Sequence, residues 1–220
     1  MAYARAVSGQ VGSSAPEVFC GTGYRSSGLR SLLLLLVVGV AGCTVEVQRP
    51  EFPELTWTHL PPMTLDVAEI EIIDASQPTG ASPHVEHLFP LPPAKAVERW
   101  ARDRLRVGGR ANRARLLIQH ADVVETGLPR TEGLAGIFTT DQTERYDAEL
   151  TVLLEIRSDS GILLGQVAAE VRKSRTVPED ASLNERDAAW FEMTEDLMTL
   201  FNAEMERNMP LYLDRWLQAR

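Results

Sequence analysis

Residues 146–157 read YDAELTVLLEIR, in which Tyr146, Ala148, Leu150, Val152, Leu154 and Ile156 alternate with Asp147, Glu149, Thr151, Glu155 and Arg157. A period of two sends the first set to one side of a pleated strand and the second to the other, so one face is dry and the other mostly wet. Ser158-Asp159-Ser160-Gly161 supplies a tight turn, and Ile162–Arg175 returns with Val167, Ala169 and Val171 against Glu170 and Arg172. The pair is an antiparallel hairpin whose single apolar face needs a cover.

The cover comes from both flanks. Pro178 ends the hairpin, and Ser182-Leu183-Asn184-Glu185 has the S-x-x-E spacing of a capping box. It opens a helix to about Asn208, with Phe191, Leu197, Phe201 and Met205 as its apolar stripe and Pro210 kinking or ending it. Leu211–Leu217 continues as a short amphipathic turn carrying Tyr212 and Trp216. On the amino side, Arg113–Thr126 is strand-like, with Leu116 and Ile118 on one side and Leu117, Ala121 and Val123 nearer the other, which admits a bulge. Pro93 opens a helix to about Val107, with Val97, Trp100, Ala101 and Leu105 on one face and Gly108-Gly109 as its stop. Asp66–Asp74 alternates Ala68, Ile70 and Ile72 against Glu69 and Glu71, a further strand. The order strand, helix, strand, long loop, strand, turn, strand, helix predicts an α+β fold: two layers, with a roughly four-stranded, mainly antiparallel sheet and two helices on one face.

Residues 29–43, LRSLLLLLVVGVAGC, place Arg30 before an apolar run, Leu32–Ala41, that closes on small residues and a cysteine. That is the layout of an export signal. The run of ten residues is about half of the roughly 20 that a spanning helix needs. Val40-Ala41-Gly42-Cys43 resembles the lipobox of bacterial lipoprotein precursors, in which the thiol is acylated and the peptide bond before it is cut. The resemblance implies lipidation of Cys43, with palmitate-type chains holding the mature protein on the periplasmic side of an envelope membrane. Thr44 after the cysteine favours the outer membrane over the inner. The leader before the run is long for such a signal, which points to translation starting downstream of Met1, at Val7, Val11 or Val18. The predicted organisation is therefore residues 1–42 as signal peptide, 43–64 as a tether containing Pro50, Pro53, Pro61 and Pro62, and 65–220 as one α+β domain.

The chain has 220 residues, 44% hydrophobic and 24% charged, enough for one core without disulfides. Its net charge is −9, and it becomes −11 without the three arginines and one glutamate of residues 1–42. Such a field disfavours nucleic acid as a partner. With Cys20 in the signal and Cys43 acylated, the mature chain has no thiol.

Behind a lipobox, this element order is similar to two groups of small envelope lipoproteins: the lipopolysaccharide-assembly lipoprotein of the outer-membrane translocon, and the auxiliary lipoproteins of ABC-type transporters. The resemblance implies a non-enzymatic accessory or scaffold role in an envelope complex, one of lipid or lipopolysaccharide transport or assembly. A periplasmic lipid carrier and an envelope hydrolase are the alternatives. It assigns no functional residue beyond Cys43.

The motifs for chemistry are sparse. His84-Val85-Glu86-His87 is the nearest approach to a metal cluster, but zinc takes three or four protein ligands and His59 and His120 lie in other segments, so no metal and no cofactor is expected. There is no Ser-x-x-Lys and no Gly-x-Ser-x-Gly, and no glycine-rich phosphate loop. Gly127–Gln142 is a sixteen-residue connection between antiparallel strands, well beyond the usual two to five. Its Leu134, Ile137 and Phe138, together with Tyr212 and Trp216, are the candidate partner-binding residues.

Overall fold

The computed structural model describes residues 51–129 and 142–218. In chain order its elements are β1 (Met63–Leu65), β2 (Glu69–Asp74), α1 (Pro93–Arg104), β3 (Leu105–Val107), β4 (Arg113–Gly127), β5 (Gln142–Arg157), β6 (Leu163–Pro178) and α2 (Leu183–Tyr212). Four strands form an open sheet in the order β2-β4-β5-β6. Its β4–β5 and β5–β6 pairs are antiparallel, whereas β2 runs parallel to β4. A parallel neighbour needs a crossover, and α1 lies in it. The fold is α+β with a mostly antiparallel sheet, as the sequence predicts.

The alternation of β5 reads directly into burial. Tyr146, Ala148, Leu150, Val152, Leu154 and Ile156 are all buried, with Val167 and Ala169 of β6 beside them. β4 joins the same face through its bulge. The register slips between Ile118 and His120, making Gln119 the extra residue. Leu116 and Ile118 before the slip and Ala121 and Val123 after it therefore share the buried face. The opposite face is laced with ion pairs across the strands, Glu69–Arg113, Glu71–Arg115, Arg115–Glu155 and Glu149–Arg172, and with one along β5, Glu155–Arg157.

Beyond Ile118 β2 has ended, and Pro83–Val85 takes over the edge of β4. The amide of Val85 donates to the Val123 carbonyl at 2.9 Å, and that of Glu125 donates to the Pro83 carbonyl at 2.9 Å. This stretch lies in a proline-rich segment that also holds Pro78, Pro90, Pro92 and Pro93. Its prolines cannot donate, yet one carbonyl and one free amide suffice to cap an edge.

The two helices lie side by side and run in the same direction. Thr194 Oγ1 donates to the Leu91 carbonyl, Trp100 Nε1 donates to Asn202 Oδ1, and Arg104 pairs with Glu206. The capping box is present: Ser182 Oγ accepts from the Glu185 amide at 3.2 Å, and Glu185 Oε2 accepts from the Ser182 amide at 2.8 Å. α2 passes through Pro210, which has no N–H to give the Glu206 carbonyl, and stops at Tyr212.

Three features depart from the sequence reading. α1 ends at Arg104, because Leu105–Val107 leaves as β3 to pair in parallel with β1. Leu105 is buried either way, so its apolar character does not distinguish helix from strand. The carboxyl-terminal turn also reaches back: the Asp66 amide donates to the Trp216 carbonyl at 2.7 Å, and the Gln218 amide donates to that of Thr64 at 3.0 Å. β1 is thus held on one side by β3 and on the other by the chain's last described residues. Finally, the folded unit takes in residues upstream of Leu65. Phe52 stacks on Phe191 with ring centroids 4.8 Å apart, and buried Trp57 donates its amide to Asp103 at 2.8 Å. The Pro61 carbonyl accepts from Arg104 at 2.6 Å. The strap turns once, where the Leu60 amide donates to the Trp57 carbonyl at 3.0 Å, and Phe52 and Trp57 fasten it to the helices.

Candidate docking surface

The end of the molecule where β5 turns into β6 carries an uncovered apolar group. Ile162, Leu163 and Leu164 are 64%, 44% and 41% exposed, and at the carboxyl end of α2 Leu211 and Tyr212 are 69% and 62% exposed. Gly165 links the two groups. A β-carbon there would lie 2.7 Å from Trp216 Cζ3 and 3.1 Å from Leu213 Cδ2, so the absent side chain is what lets the helix end close onto the strand. The Arg215 guanidinium stands 5.6 Å from the Trp216 ring centroid, a cation–π contact.

The sequence candidates therefore separate. Trp216 is half-buried and packed on Gly165, whereas Tyr212 points into solvent. Cys43, Leu134, Ile137 and Phe138 lie outside the described residues. The sequence candidates do not include Ile162–Leu164, although three branched apolar residues in a row directly after a turn break the alternation of the strand.

Several openings lie near these elements. One of about 620 Å³ sits between the strap and the end of α2, lined by Pro61, Met63, Glu206, Met209, Pro210 and Leu217. Behind it Arg104 is fully buried, and its two bonds go to Pro61 and Glu206. Another, about 380 Å³, lies on the ion-paired face between His84, Asp122, Arg145, Asp147 and Arg172. Here burial works against the charge of Asp147, but hydrogen bonds from Ser174 and Arg145 outweigh it and hold the carboxyl below its ordinary range. Glu155, in the same face, is also held low, first by its hydrogen bond from Arg157 and then, against burial, by the charges of Arg157 and Arg115. These carboxylates are spoken for by arginines, which suits a stable face better than proton transfer. Among the described residues no group of three His, Cys, Asp or Glu side chains is placed to hold a metal ion.

At the opposite end, Tyr146 donates to Glu144 Oε2 at 2.6 Å and meets the edge of Trp190 at 5.5 Å. Burial, then the bond to Glu144 and the nearby charge of Glu125, push the phenol far above its ordinary value. Arg186 closes on Glu144 at 2.9 Å, tying the start of α2 to the start of β5.

No family model matches the chain, and no curated protein matches it. Among solved structures, it is similar to a minor lipoprotein from Acinetobacter baumannii with 11% identity and a TM-score of 0.33, over 71% of this chain and 98% of that one. An overlap so loose transfers no residue roles.

Proposed function

We propose that the chain is a lipid-anchored accessory protein of the bacterial cell envelope. Acyl chains on Cys43 hold it facing the periplasm, on the outer membrane, where it scaffolds a complex that moves or assembles lipid or lipopolysaccharide. The observation that carries this reading is the sequence Arg30–Cys43, with its basic residue, short apolar run and lipobox-like close. No helix among the described residues is long and apolar enough to cross a membrane. Two or more acyl chains suffice to anchor stably, at about 0.8 kcal/mol per buried methylene. Eight residues separate Cys43 from Phe52, which stacks on Phe191 of α2.

A scaffold is favoured over a lipid carrier by what fills the interior. Trp100, Phe201, Leu150 and Leu154 are fully buried between helices and sheet, in the volume a carrier would keep for a lipid. Exposed Tyr212 and the segment holding Leu134, Ile137 and Phe138 are the partner-binding candidates. The test is metabolic labelling of the full chain with an alkynyl palmitate in a Gram-negative host, followed by envelope fractionation and crosslinking. Label on the wild type that is lost in Cys43→Ala, with crosslinks to envelope assembly or transport proteins, supports the reading. An unlabelled chain in the soluble fraction overturns it.

A further inference from the structure

β6 is the outermost strand of the sheet for sixteen residues, and among the described residues no strand follows it. Its free edge can be identified. The Ser158 amide donates to the Ile162 carbonyl, so the even-numbered residues of β5 face β6. Through the pairs Leu154↔Val167, Val152↔Ala169 and Leu150↔Val171, the odd-numbered residues of β6 face back. The even-numbered ones, Gln166 to Thr176, turn their amides and carbonyls outward. The Ala168 carbonyl agrees, since among the described residues its partner is not a strand but the Asn208 side chain of α2, at 3.5 Å. A long unpaired edge of this kind is a template for another strand.

We propose that the occupant is β6 of a second copy of this chain, paired antiparallel about a two-fold axis beside Val171. Charge selects the register. Axes beside Glu170 or Arg172 would set like charges directly opposite each other. The axis beside Val171 instead puts Glu170 of each copy opposite Arg172 of the other, twice over, as an isologous contact must. Arg172 is exposed and now bonds Glu149 at 2.9 Å and Glu170 at 2.8 Å, so turning toward the second copy costs little.

The same register accounts for two other surface features. It brings exposed Leu164 of one copy beside Pro178 of the other. There an opening of about 240 Å³ lies between the end of β6 and the start of α2, lined by Thr176, Val177, Pro178, Ala181 and Ala189 among others. The apolar tip and the opening are at opposite ends of β6, and the two-fold makes them meet at both ends of the pair. The sheet becomes eight-stranded and continuous, with all four helices on one side.

The test uses the full chain in detergent, with mass read by native mass spectrometry and affinity by sedimentation. The wild type should be a dimer. Glu170→Arg and Arg172→Glu should each weaken it about tenfold, and the double exchange should restore it, because the pairs re-form with reversed sign. Ala168→Pro removes one outward amide, which an edge strand tolerates, and should give a folded monomer by circular dichroism. A photocrosslinker at Leu164 should label the second copy around Pro178. A monomeric wild type, a double exchange no better than the single ones, or a dimer indifferent to a folded Ala168→Pro chain overturns the proposal.

Discussion

The six-membered ring of Trp216 lies against Gly165 so closely that a β-carbon on residue 165 would stand 2.7 Å from it. Gly165→Ala is expected to push the turn Asp214–Trp216 off β6 and to cost about 1–3 kcal/mol, as overpacking does. Urea unfolding measures the cost. A red shift of tryptophan emission at unchanged far-ultraviolet circular dichroism would show that the turn, and not the sheet, has moved.

The strap sets the boundary of the folding unit. A chain begun at Gln48 should fold cooperatively, whereas one begun at Leu65 loses Trp57, the Phe52–Phe191 stack and the carbonyl that satisfies Arg104. Trp57→Ala alone should cost about 3–5 kcal/mol. Comparing thermal midpoints of the two chains and of the substitution decides the point, and equal midpoints would make the strap a mere leash.

Arg104 is fully buried and Glu206 is its only charged partner among the described residues, with the Glu206 side chain 41% exposed. Glu206→Gln leaves a guanidinium in the interior without its counter-charge. The expected loss is about 2–3 kcal/mol, at or below the low end for a broken buried pair because water reaches the glutamate. Chemical denaturation would check it, and a loss under half of that would mean the Pro61 carbonyl alone satisfies the arginine.

Glu155 and Asp147 are both held below the ordinary carboxylate range by arginine and serine partners. A depressed folded-state value means that the stabilisation is complete above the unfolded value, near pH 4, and is lost as pH falls through the folded one. Stability measured from pH 6 down to pH 2 should therefore fall across the acid side of that window. Glu155→Gln should flatten the fall while lowering the plateau above pH 5.

Ser182→Ala removes the acceptor for the Glu185 amide at the start of α2. About 1 kcal/mol should be lost. Amide hydrogen exchange should show the loss as faster opening of the first turn.

Much of this architecture is written in local pattern. The period of two in 146–157, the S-x-x-E at 182–185 and the proline at 93 each act within a few residues, and each yields the element it predicts. What escaped is what depends on distant partners. β1 and β3 are three residues each and exist only through Met63↔Leu105 and its neighbours, forty-two positions apart. The prolines of the strap suggest a tether, while its aromatic residues, Phe52 and Trp57, carry the information that it packs. The docking surface was half legible: Tyr212 could be named, but whether it or Trp216 would face inward depended on Gly165, whose reason lies across the chain.

The sandwiching of β1 between β3 and Leu217–Gln218 fixes an order of events. A chain emerges amino end first, so Met63–Leu65 is available early and meets β3 after some forty residues, yet its second neighbour follows only after the whole of α2. Until then one edge of β1 stays open and the strap has only part of its seat. Closure of β1 is therefore a late step, a latch that waits for Leu217–Gln218. A chain cut short before Leu217 would keep its hairpin and helices but leave that edge of β1 unlatched.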